Sequence, residues 1–334
     1  MRVVAVTGST GFIGGHVVRR LAARGDRVIA FGRRAEAEFA DLPAVSYRSW
    51  TLPDALTDPP QVDAVVHCAG TVTDWGPESI FIRVNVAGTR RVLRTFAAAR
   101  RFVHLSTASV YDPRTPKRRV KEDAPYPDHY LNAYARSKML AEVAVREARP
   151  DAVILRPHAV YGRGENKLLP RLLQARWFGR QLAVGDGRNR VSVTHVENLV
   201  HAIECALEET ASGTFNVADL VEPTVDELLR QVLAAAARPA RIAYLPTAVA
   251  WPLSTALESI ARTIGLTDPP RLTRYVVAQF AHEYTLDLRA AVERLGYRPA
   301  RTYVDGIREA LAAGALPSVG ILRKTFRRGF DSLL

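Results

Sequence analysis

Cysteine is nearly absent from this sequence, which has only Cys68 and Cys205 among its 334 residues. Two cysteines cannot form the disulfide framework of a small secreted protein, so we expect a reducing compartment and a cytoplasmic location. The chain opens directly on a strand-like pattern, which leaves no room for a signal peptide. The eight histidines lack the spacing typical of metal sites, and we predict no bound metal.

Long apolar runs are also missing. The uncharged stretch at residues 242–257 has 16 residues and contains Pro246 and Pro252. It is too short and too interrupted to span a bilayer. We expect it to line an apolar pocket, and the alternative is a helix lying on a membrane surface, so peripheral membrane contact stays open.

Positive charge is abundant but dispersed. The net charge is +12, yet no run of five like charges and no nucleic-acid-binding motif occurs. We therefore predict no nucleic-acid partner. Residues 318–334 contain Arg323, Lys324, Arg327 and Arg328 and are predicted to be an exposed basic tail.

Short β-branched runs alternate with helical stretches in the first half of the chain. The predicted strands are residues 3–6, 27–31, 64–68, 102–106 and 152–155, and the predicted helices are residues 14–24, 80–100 and 133–148. This alternation predicts an α/β fold with a doubly wound parallel sheet of the Rossmann type. Further helices are expected near residues 167–178, 196–209 and 224–237.

Three glycines follow the first strand and open the first helix. Gly8, Gly11 and Gly14 allow a sharp turn whose backbone N–H groups can approach a pyrophosphate. Between a strand and a helix this spacing is strong evidence for a dinucleotide site. We therefore divide the chain into a dinucleotide-binding domain at residues 1–160, a smaller, partly helical substrate-binding region at 161–317, and the tail. A strand and a helix near residues 190–209 are expected to return to the core.

The end of the second strand bears on cofactor choice. An NAD site usually places a carboxylate here for the ribose 2′-hydroxyl, but this chain has Gly32, Arg33 and Arg34. Because arginine matches a phosphate in bidentate fashion, NADP(H) is favoured and NAD(H) is possible. The alternative is that both arginines are solvated loop residues.

Two further patterns concern catalysis. Tyr134 and Lys138 lie four residues apart on a predicted helix and therefore share one face. They are either a surface pair or a phenol whose pKa an adjacent ammonium lowers. Ser106 and Thr107 end a predicted strand, at the edge where ligands bind in this architecture.

The segments "TGSTGFIGGHVV", "HCAG", "NVAGT", "HLSTASVY", "YARSK" and "LRPHAVYG" occur in the order found in extended short-chain dehydrogenases/reductases, which residues 1–300 resemble. The resemblance implies that Tyr134 is the acid/base and that Lys138 lowers its pKa and binds the nicotinamide ribose. It implies that Thr107 orients the substrate oxygen and that Asn85 supports the site.

The same resemblance implies further contacts and a homodimer formed through helices 80–100 and 133–148. The implied cofactor contacts, besides Arg33 and Arg34, are Gly8, Thr10, Gly11, Phe12, Ile13, Gly14, Cys68, Ala69, Gly70, Ser106, Tyr134, Lys138, Pro157, His158 and Val160. The implied substrate contacts are Thr73, Thr107, His158 and Tyr161.

One position separates the branches of this family. Nucleotide-sugar enzymes typically carry an arginine four residues before the histidine of "THVENL", where this chain has Val191, with Arg190 one residue earlier. A one-residue shift on a strand places the side chain on the opposite face of the sheet.

The chain looks instead like the 3β-hydroxysteroid and sterol-4α-carboxylate dehydrogenase branch, which includes bacterial reductases of long-chain 2-alkyl-3-oxo acids. The expected substrate is thus a bulky apolar alcohol or ketone. The alternatives are a nucleotide-sugar epimerase/dehydratase and a non-catalytic NADP-binding regulator.

Overall fold

A parallel sheet of seven strands forms the centre of the protein. The computed structural model describes residues 1–36, 39, 41–177, 179–208 and 211–312, so the predicted tail at 318–334 lies outside the described residues. The strands are β1 (Val3–Thr7), β2 (Arg27–Gly32), β3 (Val45–Ser49), β4 (Ala64–His67), β5 (Arg101–Leu105), β7 (Val153–Pro157) and β12 (Gly213–Val217). Their order is β12-β7-β5-β4-β1-β2-β3, and every pairing is parallel.

Helices cover both faces of this sheet, as apolar strands buried on two sides require. The helices are α1 (Phe12–Ala23), α2 (Glu78–Phe81), α3 (Gly88–Thr95), α4 (Ala133–Ala148) and α6 (Val196–Leu207), with a π-helical segment, Ile82–Ala87, between α2 and α3. α1 and α6 pack on one face of the sheet, and α3 and α4 pack on the other. The predicted doubly wound α/β fold is confirmed.

The remaining elements form a smaller region over the carboxyl edge of the sheet. Its helices are α5 (Leu168–Gln174), α7 (Val225–Ala235), α8 (Thr247–Thr263), α9 (Arg274–Ala281) and α11 (Tyr303–Ala312), whereas α10 (Arg289–Arg294) packs beside β12 on the main sheet. Its strands are β6 (Lys117–Val120), β8 (Val160–Tyr161), β9 (Arg176–Trp177), β10 (Arg180–Val184), β11 (Thr194–His195), β13 (Ile242–Leu245) and β14 (Tyr284–Leu286). They pair as β13-β10-β9, β11-β8 and β14-β6.

The structure corrects the prediction that a strand and a helix near residues 190–209 return to the core. Helix α6 lies where it was expected, but the strand beside it, β11, has two residues and pairs with β8 outside the main sheet. The strand that rejoins the main sheet is β12, which pairs with β7 and was not predicted. The main sheet therefore includes a strand beyond residue 160, while the division of the chain into domains stays a prediction.

One other sequence prediction also needs correction. The helix expected at residues 167–178 ends at Gln174 and is followed by β9. The stretch at 242–257 forms β13 and most of α8, and α8 continues through Pro252. Proline removes one backbone N–H and clashes with the preceding turn, but packing of Ala250 and Trp251 against neighbouring apolar side chains stabilises the helix here.

Candidate active site

The glycine turn between β1 and α1 forms a close-packed cradle. Gly8 has φ +70°, and a Cβ there would lie 2.7 Å from the backbone nitrogen of Ala69. A Cβ on Gly14 would lie 2.2 Å from the carbonyl oxygen of Gly8. No acidic residue occupies the first turn of α1, so its N-terminus presents unopposed N–H groups to an anion. Thr10, Phe12 and Ile13 belong to the same turn, and the residues present fit a dinucleotide phosphate.

The two predicted phosphate-binding arginines follow the end of β2. The side chains of Arg33 and Arg34 are exposed at the carboxyl edge of the sheet, next to the glycine turn. A Cβ on Gly32 would lie 2.9 Å from the Tyr47 hydroxyl and 3.0 Å from the Thr10 side chain. A carboxylate side chain at position 32 would require these groups to move, so the site favours a small residue there. The exposed side chains of Arg33 and Arg34 can then face a ligand.

Tyr134 and Thr107 meet above the ends of the central strands. The Thr107 side chain, after β5, lies beside the Tyr134 phenol on the first turn of α4 and acts to lower its pKa. Thr107 caps a short 3₁₀ turn, Ala108–Val110, by accepting a hydrogen bond from Ser109 N at 3.1 Å. This cap fixes the hydroxyl beside the phenol, and the roles of both residues in catalysis stay predictions.

Lys138 lies one turn further along α4 and is buried. Its ammonium donates to the carbonyl oxygen of Leu105 at 2.6 Å. Burial lowers the pKa of Lys138 to about 8, against the opposing effects of Glu142 and Cys68. The ammonium is therefore held at the end of β5, next to the turn of residues 107–110 (the catalytic turn).

The predicted acidification of Tyr134 by Lys138 is opposed by burial. Burial raises the pKa of Tyr134 to about 12, because desolvation of the phenolate outweighs the opposing effect of Thr107. The Lys138 ammonium is directed to the Leu105 carbonyl instead. Tyr134 is consequently protonated at neutral pH, the state that a proton donor needs.

Asn85 connects the segment after β4 to helix α4. It lies in the π-helical segment, is 1% exposed, and its Oδ1 accepts from Thr71 N at 2.7 Å. Its Nδ2 donates to Thr71 O at 3.1 Å and to Ser137 Oγ at 2.8 Å. A Cβ on Gly70 would lie 3.1 Å from Asn85 Oδ1. Asn85 thus holds the end of β4 against α4, which is the supporting role expected of it.

Beneath Lys138 lies an ion-pair network that the sequence analysis missed. Glu142, on α4 and fully buried, accepts from Arg156 Nε at 3.0 Å and Nη2 at 2.7 Å. It also accepts from Tyr126 at 2.5 Å and from Arg146 at 2.7 Å. The sequence did contain a signal for this network, because Arg156 lies inside the apolar strand β7 and a buried arginine needs a buried anion.

Ser106 belongs to this network and does not face the cradle. Its hydroxyl donates to Glu142, and the residue is 4% exposed. The structure therefore shows a supporting contact of Ser106 with Glu142, under Lys138, instead of the predicted direct contact with the cofactor. The side chain points to the opposite face from Thr107, as neighbouring residues at the end of a strand do.

The structure also argues against two predicted substrate contacts. Tyr161 is 2% exposed, and its hydroxyl donates to Asp219 at 2.6 Å, so it is part of the core. His158 is buried, and its two ring nitrogens lie 2.7 Å from Ser192 O and 2.9 Å from Gln279 Oε1. Both polar atoms of His158 are used within the protein.

The other predicted contacts reach the carboxyl edge of the sheet. Cys68, Ala69 and Gly70 follow β4, Pro157 ends β7, and Val160 begins β8. Burial raises the pKa of the Cys68 thiol to about 12, so this residue contributes a neutral surface. The structure therefore brings these segments together, while their contacts with a cofactor remain a prediction.

A loop at residues 71–77, after β4, bridges the two regions of the protein. Asp74 pairs with Arg171 of α5 at 2.9 Å, and the Trp75 indole donates to Leu266 O at 3.0 Å. The guanidinium of Arg262 lies 4.9 Å from the centre of the Trp75 ring. Thr73, a predicted substrate contact, hydrogen-bonds locally to Trp75 and stays close to the site. The loop therefore holds α5 and the end of α8 beside the catalytic turn.

A second phenol, unforeseen from the sequence, reaches this turn. The Tyr275 hydroxyl, from α9, lies 2.7 Å from Ser109 Oγ. Thr107 Oγ1 donates to the same Ser109 oxygen at 3.0 Å. Nothing in the sequence near Tyr275 marks it, because its partner is 166 residues away.

Among the described residues, no group of histidine, cysteine and carboxylate side chains is arranged to hold a metal ion. Within the same ranges, no helix has the length and apolar character needed to cross a membrane.

Comparisons with known proteins agree with this geometry. Residues 4–218 match the NAD dependent epimerase/dehydratase family. The chain is 30% identical to a 2-alkyl-3-oxoalkanoate reductase of Stenotrophomonas maltophilia (strain K279a) over 332 residues, covering 93% of this chain and 99% of the relative. It is 32% identical to a decarboxylating sterol-4-alpha-carboxylate 3-dehydrogenase of Bos taurus, covering 63% of this chain and 61% of the relative.

A solved structure is similar along most of the chain. The UDP-glucuronic acid 4-epimerase of Bacillus cereus, in complex with NAD, has a TM-score of 0.71 and 18% identity and covers 93% of this chain and 98% of its own. At this identity the likeness concerns the fold. The predicted family and NAD(P)-binding architecture are confirmed, and the chain belongs to the NAD dependent epimerase/dehydratase family as an oxidoreductase.

Proposed function

We propose that this protein interconverts a ketone and a secondary alcohol on a bulky apolar substrate, with Tyr134 as the acid/base. The observation that carries the proposal is the position of Tyr134 and Thr107 at the carboxyl edge of the sheet, beside the glycine cradle, with the Lys138 ammonium one turn along α4 at the Leu105 carbonyl. When bound, the nicotinamide cofactor supplies or accepts the hydride.

The side chains of the protein manage the proton and the developing charge. In reduction, the neutral phenol of Tyr134 gives its proton to the substrate oxygen as that oxygen becomes negative. Thr107, fixed by its cap, is positioned to hydrogen-bond the same oxygen. Lys138, whose buried ammonium is held at the end of β5 one turn from Tyr134, would bind the nicotinamide ribose.

Two features support an apolar substrate. Arg190 is exposed and donates to Glu222 O at 2.7 Å, while Val191 packs in the core, so this segment offers no diphosphate clamp. The end of α8 and the segment after it, held beside the site by Trp75, expose Ile260, Ile264 and Leu266. The 2-alkyl-3-oxoalkanoate reductase relative suits the same substrate class.

A substrate panel tests this class directly. We expect NADPH oxidation with long-chain 2-alkyl-3-oxo acids or 3-ketosteroids, and no conversion of UDP-glucose, because the binding segments lack a diphosphate clamp. Absorbance of the reduced nicotinamide measures the first reaction, and chromatography of the nucleotide sugars measures epimerisation.

Two results would contradict the proposal. Efficient epimerisation of UDP-glucose would favour the nucleotide-sugar alternative. Tight NADPH binding without turnover of any ketone or alcohol would favour the non-catalytic regulator.

We also propose that NADP(H) is preferred, through Arg33 and Arg34. Arg33→Ala is expected to raise KM for NADPH about tenfold to a hundredfold and to leave KM for NADH nearly unchanged, since a charged hydrogen bond contributes about 1.5–3 kcal/mol. Initial rates with both cofactors provide the measurement.

Arg27→Ala is the matched control for Arg33→Ala. Arg27 is exposed at the opposite end of β2, so its loss removes the same charge far from the glycine turn. Equal effects of the two substitutions would show that only net charge matters. A wild-type preference for NADH would contradict the assignment.

A further inference from the structure

One nitrogen of the Arg171 guanidinium, on α5, is buried without a partner. The side chain is 37% exposed, but its Nη2 atom is shielded from solvent and has no hydrogen-bond partner among the described residues. Its Nη1 atom donates to Asp74 Oδ2 at 2.9 Å. A buried charged donor that lacks an acceptor is costly. Nη2 is therefore available to an acceptor that the described residues do not supply.

Asp74 links Arg171 to the catalytic turn. The carboxylate oxygen that accepts from Arg171 also accepts from the hydroxyl of Thr273, the N-cap residue of α9, at 3.4 Å. In the first turn of the same helix, the Tyr275 hydroxyl lies 2.7 Å from Ser109 Oγ. The guanidinium is thus tied to the helix end that contacts the catalytic turn.

The electrostatic surroundings of Tyr275 agree with this placement. Burial raises the pKa of the Tyr275 phenol, and its hydrogen bond with Ser109 acts against this rise. The negative charges of Tyr134 and Asp74 also raise this pKa, whereas the positive charge of Arg171 lowers it. Because such effects weaken with distance, the Tyr134 phenol and the Arg171 guanidinium both lie close to the Tyr275 hydroxyl.

The charges around the loop at residues 71–77 favour an anion. The loop contains one carboxylate, Asp74, and contacts three cations. Arg171 pairs with Asp74, Lys167 donates to a backbone carbonyl of the loop at 3.4 Å, and Arg262 lies over its indole ring, 4.9 Å from the ring centre. Positive charge therefore exceeds negative charge around the loop, which would stabilise a carboxylate of the substrate.

We propose that Arg171, held by Asp74, binds the carboxylate of a 3-oxo or 3-hydroxy acid whose oxygen lies at Tyr134. The inference rests on the proposed function, in which Tyr134 is the acid/base for that oxygen. In such an acid a single carbon separates the carboxylate from the carbon that bears the oxygen, so both groups must be bound close together. A carboxylate accepts from Nη2 in a charge-assisted hydrogen bond and satisfies the buried donor. Acids are therefore preferred over neutral steroids and ketones.

The test compares a long-chain 2-alkyl-3-hydroxy acid with its methyl ester, which has the same alkyl chains but no charge. With NADP⁺, the wild type should oxidise the acid with the lower KM. Arg171→Met should raise KM for the acid about tenfold to a hundredfold, as expected for one charged hydrogen bond, and leave KM for the ester nearly unchanged. Arg171→Lys, which keeps the charge but not the second nitrogen, should give an intermediate KM for the acid. Absorbance of the NADPH formed measures the rates.

Arg136→Met is the matched control. Arg136 lies on α4, two residues after Tyr134, and pairs with Glu78, and the two side chains are 52% and 49% exposed. The substitution removes the same charge near the site, but from a pair that is open to solvent. KM for the acid and for the ester should both stay close to the wild-type values.

Three results would overturn the assignment of Arg171. In the first, Arg171→Met raises KM equally for the acid and the ester, because the residue then only supports the structure of the site. In the second, the wild type oxidises the ester as efficiently as the acid. In the third, Arg136→Met raises KM for the acid as much as Arg171→Met does. Failure of the proposed function is a different result, in which the wild type oxidises neither compound or Tyr134→Phe keeps wild-type turnover.

Discussion

Tyr134→Phe is expected to lower kcat by about 10²–10⁴-fold and to leave cofactor binding unchanged. The phenylalanine keeps the ring that packs beside Thr107 but has no proton to give to the substrate oxygen. The wild-type phenol is protonated at neutral pH because burial raises its pKa to about 12, so the variant loses a fully populated donor. Steady-state kinetics and NADPH fluorescence titration measure the two effects.

Tyr130→Phe is the control for this variant. The Tyr130 hydroxyl, four residues earlier, donates to Val110 O at 3.2 Å, at the end of the same turn. It is not bonded to Thr107, so its loss should change kcat little. Wild-type turnover in Tyr134→Phe would remove this residue from the mechanism.

The buried ion pair under the site is expected to have the largest effect on stability. Arg156→Met should lower the free energy of unfolding by about 3–5 kcal/mol, because the fully buried Glu142 loses its principal cation. Urea unfolding measures the difference. Glu142→Gln in the same chain should restore part of it, since a neutral amide tolerates burial better than an unpaired carboxylate.

The sign of the pH dependence follows from Glu142. Burial acts to raise its pKa, but the Arg156 hydrogen bond and charge outweigh this, and the folded pKa lies below the ordinary value. In the wild type this stabilisation is therefore present above the unfolded pKa and is lost as the pH falls through the folded pKa. In Arg156→Met that arginine no longer offsets the effect of burial on the pKa of Glu142. The difference in unfolding free energy between the variant and the wild type should therefore shrink in mild acid.

Arg19→Met is the surface control for Arg156→Met. Arg19 pairs with Asp41 at 2.8 Å, and the two side chains are 52% and 64% exposed, so the loss should cost at most about 1 kcal/mol. Equal losses in the two variants would contradict a special role for the buried pair.

The sequence predicted the parts of the protein that depend on local pattern. The glycine turn, helix α4 and the Tyr134–Lys138 spacing follow from residues close together in the chain, and the structure places them as expected. Strand β12 escaped prediction because "GTFNV" mixes polar and apolar residues, and only its pairing with β7 makes it a strand.

Interactions between distant residues account for the other omissions. Glu142 and Tyr275 have partners chosen by tertiary packing, which local spacing does not encode. Likewise, the inaccessibility of His158 and Tyr161 comes from Gln279 and Asp219, far along the chain. The homodimer, the cytoplasmic location and the absence of a nucleic-acid partner stay predictions.

The pairing of β12 with β7 has a consequence for how the protein is made. When residues 1–160 have left the ribosome, β7 is still an edge strand with unpaired backbone groups, which is a site for incorrect pairing. The catalytic turn is also unfinished, because Tyr275 and Tyr284 reach it from 166 and 176 residues further along. During synthesis the glycine cradle therefore precedes the complete turn, and a chain cut at residue 160 would lack both β12 and these two tyrosines.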